Sequence, residues 1–508
     1  MSFLSEKAFF LWDWRWLTTA LVFLFSYVVV RFYYKVSKYP KGPFPLPVVG
    51  NLLALRNTNE LYKATVQWSR KYGDPITLWM GERPMVVINT QKLVKEAFVE
   101  RRHEFAGRFP SKMGKYSELQ TQGNHNIIME DYTPTWKALR KVALTAVRKY
   151  AVSESLETLC CEVVDAYVDS LRGQTTVVDS KIPFEYMLYN IIGMSVYGEK
   201  FDKESTELTK LQAINMEFIR VAPNGLPSDI VPWLGLLYRN RERKIELLFK
   251  EFLEIVDTLY KRAAKSYVPG KIENFTHSML AARDEAIEQA KNDAEHLTEA
   301  NMVQIIIDIF GAGTGTSLAQ LQWLSLILTR KPEIKERMKA EIEANLGQDP
   351  PRLQDREKLP YTQACILESL RRFPNVPLGL PHNTTCDTEV GGQFIPTDTG
   401  ILYNIYAINH DPNLWDDPEA FRPERFLDPV TGKVKQELLP QLMTFGLGPR
   451  TCPGEKLAHV DMFYVLVRFM QRVDISAPEG KVNTPIEPVS SNLFLVPWEH
   501  DIVLTRKD

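Results

Sequence analysis

The chain has 508 residues, of which 44% are apolar, and its formal net charge at pH 7 is −2. The near-neutral charge gives no indication of a nucleic-acid partner, and five cysteines are too few for a disulfide framework and favour a reducing compartment. The length allows several ordinary domains, but no repeat or Ser/Gly-rich linker divides the chain, so one large domain is a fair alternative.

The first residues of the chain predict a membrane anchor. Trp16 to Val30 is an apolar run interrupted only by Thr and Ser, and Arg31 to Tyr34 extend it to the roughly 20 residues of a spanning helix. No small-residue cleavage site follows, which favours an uncleaved signal-anchor over a removed signal peptide. Basic residues follow the run, and the positive-inside rule then places the rest of the chain in the cytosol. The alternative is a buried core helix.

Alternating prolines in residues 40–47 separate this anchor from the body of the chain. They fix φ and block helix formation, so the segment is predicted to be a stiff, extended linker. Residues 75–90 then predict a β-hairpin with Gly81 in its turn. Residues 101–130 show no steady period and predict a long irregular loop, which in a compact domain is more often functional than not.

A helix is predicted to begin near Pro134, since proline suits the first helical turn. Trp136 and Arg140 are four residues apart, so they lie on one face of this helix. An indole N–H and a guanidinium on one face can both donate hydrogen bonds to a carboxylate. The alternative is an arginine stacked on a tryptophan at the surface, which is a common cation–π pair.

A long apolar helix is predicted from Thr298, as its N-cap, towards Arg330. It contains Gly311, Gly313 and Gly315, and each glycine costs about 1 kcal/mol relative to Ala. One explanation is a dinucleotide-phosphate loop after a buried strand, but the third glycine of that fingerprint is missing and no βαβ alternation surrounds it. The other explanation is a helix that is widened against a ligand.

A second charged pair lies on a helix predicted from Tyr361 to Arg372. Glu368 and Arg371 are three residues apart and share one face of this helix. Such a pair is commonplace and is worth only a few tenths of a kcal/mol when it is solvated. It gains interest because Phe421–Phe426, with the sequence Phe-Arg-Pro-Glu-Arg-Phe, follows it in the chain.

The most distinctive stretch is Phe445–Gly454, which contains Cys452. Gly446 and Gly448 have no Cβ, so the backbone can turn tightly and approach a flat group closely. A helical pattern begins after Pro453, so Cys452 is predicted to lie at a helix N-terminus, where unpaired N–H groups lower the pKa of a thiol. That environment suits a thiolate ligand. The alternative is a buried structural cysteine.

Phe445–Gly454 resembles the haem-binding signature of the cytochrome P450 family, Phe-Gly-x-Gly-x-Arg-x-Cys-x-Gly, and matches it at every fixed position. The resemblance implies a mainly α fold with small β-sheets, the cytochrome P450 fold, in one haem domain at 40–508 behind an anchor at 1–39. It implies haem b as the cofactor, with Cys452 as the axial ligand of the iron. The residues that it places at the haem are Trp136, Arg140, His382, Phe445, Arg450 and Cys452.

Residues 312–317 resemble the oxygen-binding helix of the family, Ala/Gly-Gly-x-Asp/Glu-Thr-Thr/Ser. The resemblance implies that Thr316 is catalytic, because its hydroxyl can hydrogen-bond dioxygen and hold water in a proton chain. The acidic position is Gly315, which is the main departure from the family pattern. Asp308 lies about two turns earlier on the same face and is a candidate substitute. The alternative for Asp308 is a plain buried or capped polar residue.

The remaining site residues are also implied by the resemblance. Glu368, Arg371 and Arg425 resemble a buried ion triad that supports the haem side of the fold, in which one carboxylate binds two guanidiniums. The substrate pocket is expected to include an extended run before His382 and the tip of a closing hairpin over residues 490–503. The expected substrate contacts are Ala312, Val376, Leu378 and Leu493.

These features imply a haem-thiolate monooxygenase that inserts one atom of O2 into an apolar small molecule, such as a steroid, lipid or xenobiotic. Its electrons would come from an NADPH-dependent flavoprotein reductase. The anchor, the proline linker and Glu104–Arg108 look most like the microsomal animal group, which implies a single-pass protein of the endoplasmic reticulum membrane with its catalytic domain in the cytosol. Gly315 leaves open an isomerase or dehydratase that acts without NADPH, and a non-catalytic haem-binding protein is a further alternative.

Overall fold

The protein is mainly helical, as the sequence predicts. The computed structural model describes residues 3–56, 58, 60–110, 125–198, 205–221, 226–230, 235–289, 294–480, 484–489 and 494–507. The α-helices are α1 (Phe3–Val36), α2 (Leu52–Leu55), α3 (Leu61–Tyr72), α4 (Gln91–Lys95), α5 (Pro134–Tyr150), α6 (Glu154–Asp169), α7 (Lys181–Tyr197), α8 (Thr206–Val221), α9 (Pro227–Ile230), α10 (Arg239–Lys265), α11 (Phe275–Gln289), α12 (Glu299–Arg330), α13 (Pro332–Leu346), α14 (Pro360–Arg372), α15 (Ile405–Asn409) and α16 (Glu455–Arg472).

The strands form small sheets beside the helices. They are β1 (Ile76–Met80), β2 (Arg83–Ile88), β3 (Gly107–Arg108), β4 (Thr175–Asp179), β5 (His382–Asn383), β6 (Thr388–Val390), β7 (Gln393–Ile395), β8 (Gly400–Tyr403), β9 (Val473–Ser476) and β10 (Asp501–Arg506). The largest sheet has the order β1-β2-β8-β5-β3, and the others are β4-β10-β9 and β6-β7. Strands β1 and β2 are antiparallel, with Trp79 opposite Pro84, so the predicted hairpin is confirmed.

Helix α12 lies at the centre of the protein. The Thr298 side chain accepts a hydrogen bond from the amide of Asn301 at 3.2 Å, which confirms the predicted N-cap. Ile305 and Ile306 are fully buried in the largest apolar cluster, together with side chains of α5, α6, α7, α14 and α16. The helix continues through its glycines. The phosphate-loop explanation is therefore wrong, because a helix and not a strand precedes them.

Helix α1 contains an apolar segment, Trp14–Val36, of 23 residues with a mean hydropathy of 1.6. Such a helix is about 35 Å long, which exceeds the roughly 30 Å hydrocarbon core of a bilayer. Its last turns pack on the body of the protein, because Phe32 is 5% exposed and its ring centroid lies 5.3 Å from that of Trp79. Tyr39 contacts the same indole, also at 5.3 Å. The segment fits the predicted anchor, and it is joined to the body by an aromatic contact.

The C-terminal region differs from the predicted closing hairpin. Strand β10 pairs with β4, which comes from a distant part of the chain, and with β9, the strand before it, and not with the described residues 494–500. Within the described residues, Val489 donates its amide to the Val496 carbonyl at 2.9 Å, so the chain does turn back there. Leu493, one of the two residues expected at the tip of the hairpin, lies outside the described residues with 490–492, and so do residues 111–124 of the predicted loop.

Candidate functional site

The Cys452 loop is held in shape by two glycines in the left-handed region, Gly446 with φ of 76° and Gly448 with φ of 71°. A Cβ on Gly446 would lie 2.5 Å from the Tyr403 hydroxyl oxygen, and one on Gly448 would lie 2.1 Å from the Phe98 carbonyl oxygen. Only glycine fits at such positions, since it has no Cβ to clash. The groups that approach these two glycines closely are therefore protein groups, the Tyr403 hydroxyl and the Phe98 carbonyl.

The sulfur of Cys452 lies at the start of α16. The Cys452 amide donates to the Phe445 carbonyl at 2.8 Å, and the amides of Gly454 and Glu455 donate to the thiol sulfur. The Cys452 side chain has accessible surface. Enough protein nevertheless surrounds the thiol to raise its pKa by desolvation, so this surface faces an internal space. The predicted lowering of this pKa is wrong for the free thiol, since burial outweighs the two amides and the charge of Arg140.

Three buried arginines from distant parts of the chain lie near Cys452. They are Arg108, Arg140 and Arg450, and each is at most 7% exposed. The Arg140 guanidinium donates to the Thr451 carbonyl, beside the cysteine. Arg450 donates to the carbonyls of Ala106 at 2.9 Å and Glu130 at 2.8 Å. Its remaining Nη1 is buried and has no hydrogen-bond partner among the described residues.

The mutual repulsion of these cations is visible in their pKa values. Burial, with the charges of Arg108 and Arg140, lowers the pKa of Arg450 to about 8. Burial lowers the pKa of Arg108 and of Arg140 to about 10. Burial and the charges of Arg108 and Arg450 hold the pKa of His382 well below its usual range. An anion placed among these groups would relieve the repulsion, so the site fits a cofactor that carries carboxylates, such as haem with its propionates.

Trp136 and His382 lie in this cationic cluster with their ring N–H groups directed at backbone carbonyls. The Trp136 indole N–H donates to the Ile127 carbonyl at 3.0 Å, while the indole ring lies under the Arg450 guanidinium at 3.8 Å. His382 Nδ1 lies 3.1 Å from the Phe105 carbonyl. Both side chains are almost fully buried, so the alternative of a surface stack at Trp136 is wrong.

The carbonyls of residues 127–130 connect the cluster to α12. Beside the contacts of Ile127 and Glu130, the Ile128 carbonyl accepts the Arg108 Nε at 2.8 Å. Asp308 on α12 accepts the amide of Ile127 at 2.6 Å and the Gln304 side chain at 3.1 Å. Asp308 therefore acts as a buried cap for this segment, which favours the plain structural alternative over a proton relay.

Thr316 and Ala312 lie on one turn of α12, and the Thr316 hydroxyl donates to the Ala312 carbonyl at 2.8 Å. Ala312 is exposed and Thr316 is half-buried, although most of α12 is buried, so this turn faces open space. Gly313 lies in the same stretch, and a Cβ built on it meets none of the described residues within 4 Å. The glycine-containing turns therefore leave room beside the helix, as a ligand-facing surface requires.

The expected substrate segment is bent, which corrects the predicted extended run. Gly379 has φ of 63° and donates its amide to the Val376 carbonyl at 3.1 Å, which closes a turn. Val376 is half-buried, but Leu378 is 6% exposed and packs in an apolar cluster with Leu402 and Leu495. Leu378 is therefore packed in the core, which does not favour its expected role as a substrate contact. Leu493 lies outside the described residues.

The ion triad is completely enclosed. Glu368 accepts Arg371 Nε at 2.8 Å and Nη2 at 2.9 Å, and it accepts Arg425 Nε at 3.0 Å. The Glu368 and Arg371 side chains are fully buried, and Arg425 is nearly so. The Arg422 amide adds a further hydrogen bond at 2.9 Å. The cluster joins α14 to residues 421–426, and it does not resemble the solvated pair that the spacing alone suggested.

Two residues in this region were not expected from the sequence. Arg108 belongs to the family-like stretch Glu104–Arg108, and the structure places it in the cationic cluster and on strand β3, beside His382 on β5. Asn375 donates its side-chain amide to the Thr316 carbonyl at 2.7 Å. The Phe-Ala-Gly-Arg stretch was an available signal for Arg108, but nothing local to Asn375 indicates its contact with α12.

Comparison with known proteins agrees with this geometry. Residues 40–503 match the family model described as Cytochrome P450. Cytochrome P450 1A5 of Gallus gallus is 31% identical over 455 residues, which cover 87% of this chain and 85% of the relative. Cytochrome P450 1A1 of Canis lupus familiaris is 31% identical over 467 residues, which cover 89% and 88%. Members of the family bind haem through a cysteine thiolate, and this chain belongs to the cytochrome P450 family of haem monooxygenases.

Proposed function

We propose that this protein inserts one atom of O2 into an apolar small molecule, with electrons from an NADPH-dependent flavoprotein reductase. The observation that carries the proposal is an interior-facing thiol, Cys452, beside three buried arginines. A haem needs an interior space for its apolar faces and cations for its buried carboxylates, and this arrangement suits both needs. The substrate class proposed is a steroid, a lipid or a xenobiotic.

Cys452 is the proposed axial ligand, and the amides of Gly454 and Glu455 orient its sulfur. Arg108, Arg140 and Arg450 are the proposed partners of the haem propionates, because they are buried cations whose charges repel one another. When bound, haem supplies the iron at which O2 is activated, with the thiolate favouring O–O cleavage. The protein holds this group in a dry, positively charged setting.

Trp136, His382 and Phe445 are proposed to shape the haem site in different ways. Trp136 acts through its ring, which supports the Arg450 guanidinium at 3.8 Å. The Phe105 carbonyl can only accept a hydrogen bond, so His382 Nδ1 carries the hydrogen and Nε2 donates only when the ring is protonated. A propionate beside it would favour that protonated state. Phe445 fixes the Cys452 amide through its carbonyl.

Thr316 is the proposed residue that handles protons. Its Oγ1 donates to the Ala312 carbonyl and remains able to accept a hydrogen bond from water. Gly315 supplies no carboxyl group, and both Asp308 oxygens already accept hydrogen bonds from protein groups. Water held at Thr316 Oγ1 is therefore the proposed proton source. Ala312 and Val376 are the proposed substrate contacts among the described residues.

The proposed setting is the endoplasmic reticulum membrane, with a single-pass anchor at 1–39 and the haem domain at 40–508 in the cytosol. The family match begins at residue 40, which supports this boundary. Arg31 and Lys35 lie in the last turns of the anchor helix and Lys38 just after it, which supports the orientation under the positive-inside rule.

The test uses the purified full-length protein in detergent or lipid, with a panel of steroids and small aromatic compounds. Product that requires both the reductase and NADPH supports the proposal. Product only from a single-oxygen donor such as iodosylbenzene would overturn the NADPH-driven reaction while leaving the pocket intact. Turnover of lipid hydroperoxides without NADPH would indicate the isomerase or dehydratase alternative. Ligand-induced spectral shifts without any product would indicate a binding protein.

A further inference from the structure

A chain of amide side chains, of which Gln320 is buried and Asn375 is half-buried, connects the Thr316 turn of α12 to the segment that follows α14. The Thr316 carbonyl accepts the Asn375 Nδ2 at 2.7 Å. Asn375 Oδ1 in turn accepts Gln320 Nε2 at 2.9 Å, and the same nitrogen donates to the Phe373 carbonyl at 2.6 Å. The Ser369 hydroxyl donates to Gln320 Oε1 at 2.8 Å. The catalytic turn is therefore held from outside its own helix.

The orientation of both amides is fixed by groups that can play only one role. A backbone carbonyl can only accept, so the Phe373 carbonyl requires the NH2 end of Gln320, and that end then requires the oxygen of Asn375. The Thr316 carbonyl independently requires the NH2 end of Asn375. Gln320 is 2% exposed and Ser369 is 1% exposed, so water competes little for these groups.

The Thr316 turn needs such support because its own sequence is weak in a helix. Gly313 and Gly315 lie on either side of Thr314, and each lowers helix stability by about 1 kcal/mol relative to Ala. Asn375 is itself fixed, because its carbonyl accepts the Leu495 amide at 2.9 Å. The fixed Asn375 side chain thus donates to the backbone carbonyl of Thr316, in a turn with weak helix propensity. The hydroxyl of the same threonine donates to the Ala312 carbonyl.

We propose that Asn375 is a positioning residue for Thr316. By fixing the Thr316 carbonyl, it sets the place at which Oγ1 meets water and the reacting oxygen, in a helix where Gly315 offers no carboxylate to share that task. This inference rests on the proposed monooxygenase function, in which Thr316 handles protons. Asn375 touches neither the substrate nor the cofactor in this proposal, and it acts only through the α12 backbone.

The test compares Asn375→Leu, which has a similarly branched side chain and no hydrogen bonds, with Asn375→Asp, which keeps the acceptor and loses the donor. Product per NADPH is expected to fall about tenfold in both variants, with the electrons released as hydrogen peroxide. The iodosylbenzene-supported rate is expected to stay near wild type, because that reaction needs no proton delivery. The C–O stretch of the ferrous carbon monoxide complex is expected to shift in Asn375→Leu and in Thr316→Ala, in the same direction.

The double variant Asn375→Leu with Thr316→Ala decides whether Asn375 acts through Thr316. Coupling in the double variant is expected to equal that of Thr316→Ala alone. Asn345→Leu is the matched control, because it removes a similar amide-to-carbonyl bond at an exposed position on α13 and should leave coupling unchanged. A normal thiolate-type carbon monoxide spectrum shows that a variant is folded. If Asn375→Leu does not give this spectrum, Asn375→Asp is used in its place.

Three outcomes would overturn the inference. They are wild-type coupling in Asn375→Leu, an additive loss in the double variant, and an unchanged C–O stretch in Asn375→Leu when Thr316→Ala shifts it. If the wild-type protein turns over no substrate with reductase and NADPH, the proposed function fails, and the C–O stretch still decides whether Asn375 positions Thr316.

Discussion

The Arg450 guanidinium supports the fold and also keeps one donor available for the proposed cofactor. Two of its nitrogens donate to the carbonyls of Ala106 and Glu130, and its plane covers the Trp136 ring. The third nitrogen, Nη1, stays buried without a partner among the described residues. A buried donor without a partner costs about 1–3 kcal/mol, so its persistence suits a group that bonds to a ligand.

Arg450→Lys is expected to weaken haem retention about tenfold, because a lysine keeps the charge but cannot hold two carbonyls and an anion in one plane. The measurement is haem per polypeptide after purification and after challenge with apomyoglobin as a haem acceptor. Arg148→Lys, an exposed position on α5, is the control. Equal haem transfer from the Arg450 variant and this control would contradict the role.

Gly315→Asp tests the departure from the family pattern directly. An added carboxyl beside Thr316 is expected to raise product per NADPH several-fold, because a positioned acid commonly accelerates proton transfer more than water does. Gly313→Ala is the control, since it restores helix propensity in open space without adding an acid. The idea fails if both variants raise coupling equally, which would make backbone rigidity the cause.

Asp308 should give the protein a distinct dependence of stability on pH. Burial raises the pKa of its carboxyl to about 7, against hydrogen bonds from the amides of Ile127 and Ile128 and from Gln304. The folded state then holds a proton that the unfolded state has lost, so stability falls as pH rises from about 4 to about 7, by up to about 4 kcal/mol.

Asp308→Asn removes this titrating group and is expected to reduce the fall in stability between about pH 4 and about pH 7. The measurement is the melting temperature of both proteins at about pH 5 and about pH 8. Burial also raises the pKa of Asp461 to about 8, and this group is present in both proteins, so the difference between them isolates Asp308. Parallel melting curves at both pH values would show that Asp308 does not titrate in this range.

At the scale of elements, the site depends on segments that meet only in the folded chain. Helix α14, through Glu368 and Arg371, is joined to residues 421–426 by a carboxylate that serves two guanidiniums. A buried ion group contributes little net stability compared with apolar packing, but removal of one member leaves an uncompensated charge. The triad therefore matters more for the correct packing of residues 421–426 on α14 than for its net contribution to the free energy of unfolding.

Glu368→Gln is expected to destabilise the protein by about 3–5 kcal/mol, because it leaves two buried guanidiniums without a counter-charge. Glu424→Gln is the matched control in the adjoining element. Its carboxylate is exposed and pairs with the exposed Arg337, so its loss should change stability by less than about 1 kcal/mol. Melting temperatures and haem content of the two variants are compared. Equal melting temperatures would contradict the prediction.

Some elements of the fold could be predicted from the sequence and others could not. The Cys452 loop, the hairpin and the N-cap of α12 could be predicted because their signals lie within a few residues. The turn at Val376–Gly379 and the pairing of β10 could not, since each depends on packing against distant segments. The pKa of Cys452 was predicted in the wrong direction because the sequence shows the amides near a thiol but not how deeply the thiol is buried.

At the scale of the whole molecule, the anchor helix is continuous with the packing of the body. Phe32 and Tyr39 both contact Trp79, and the Tyr33 ring stacks on Phe44 in the proline-rich linker at 5.4 Å. The Tyr33 hydroxyl donates to the Pro45 carbonyl at 3.2 Å. These contacts make the linker a packed joint, although its prolines alone predicted only a stiff spacer.

Removal of residues 1–39 is therefore expected to destabilise the haem domain by about 3 kcal/mol, because loss of a buried aromatic side chain costs roughly this much. Removal of residues 1–28 keeps Phe32 and Tyr39 and should preserve the melting temperature of the full-length protein. Both are measured in the same detergent. Equal melting temperatures for the two truncated proteins would show that the joint contributes nothing to the domain.

A packed joint also changes how the protein moves in a bilayer. A domain on a flexible linker rotates independently of its membrane helix. A domain that packs on its helix rotates about the membrane normal together with the helix, as one rigid body. The tilt of the haem domain is then inherited from the tilt of Trp14–Val36, and bilayer thickness sets that tilt in part. Lipid composition would thereby reorient the body of the protein relative to the membrane without contacting any residue near Cys452.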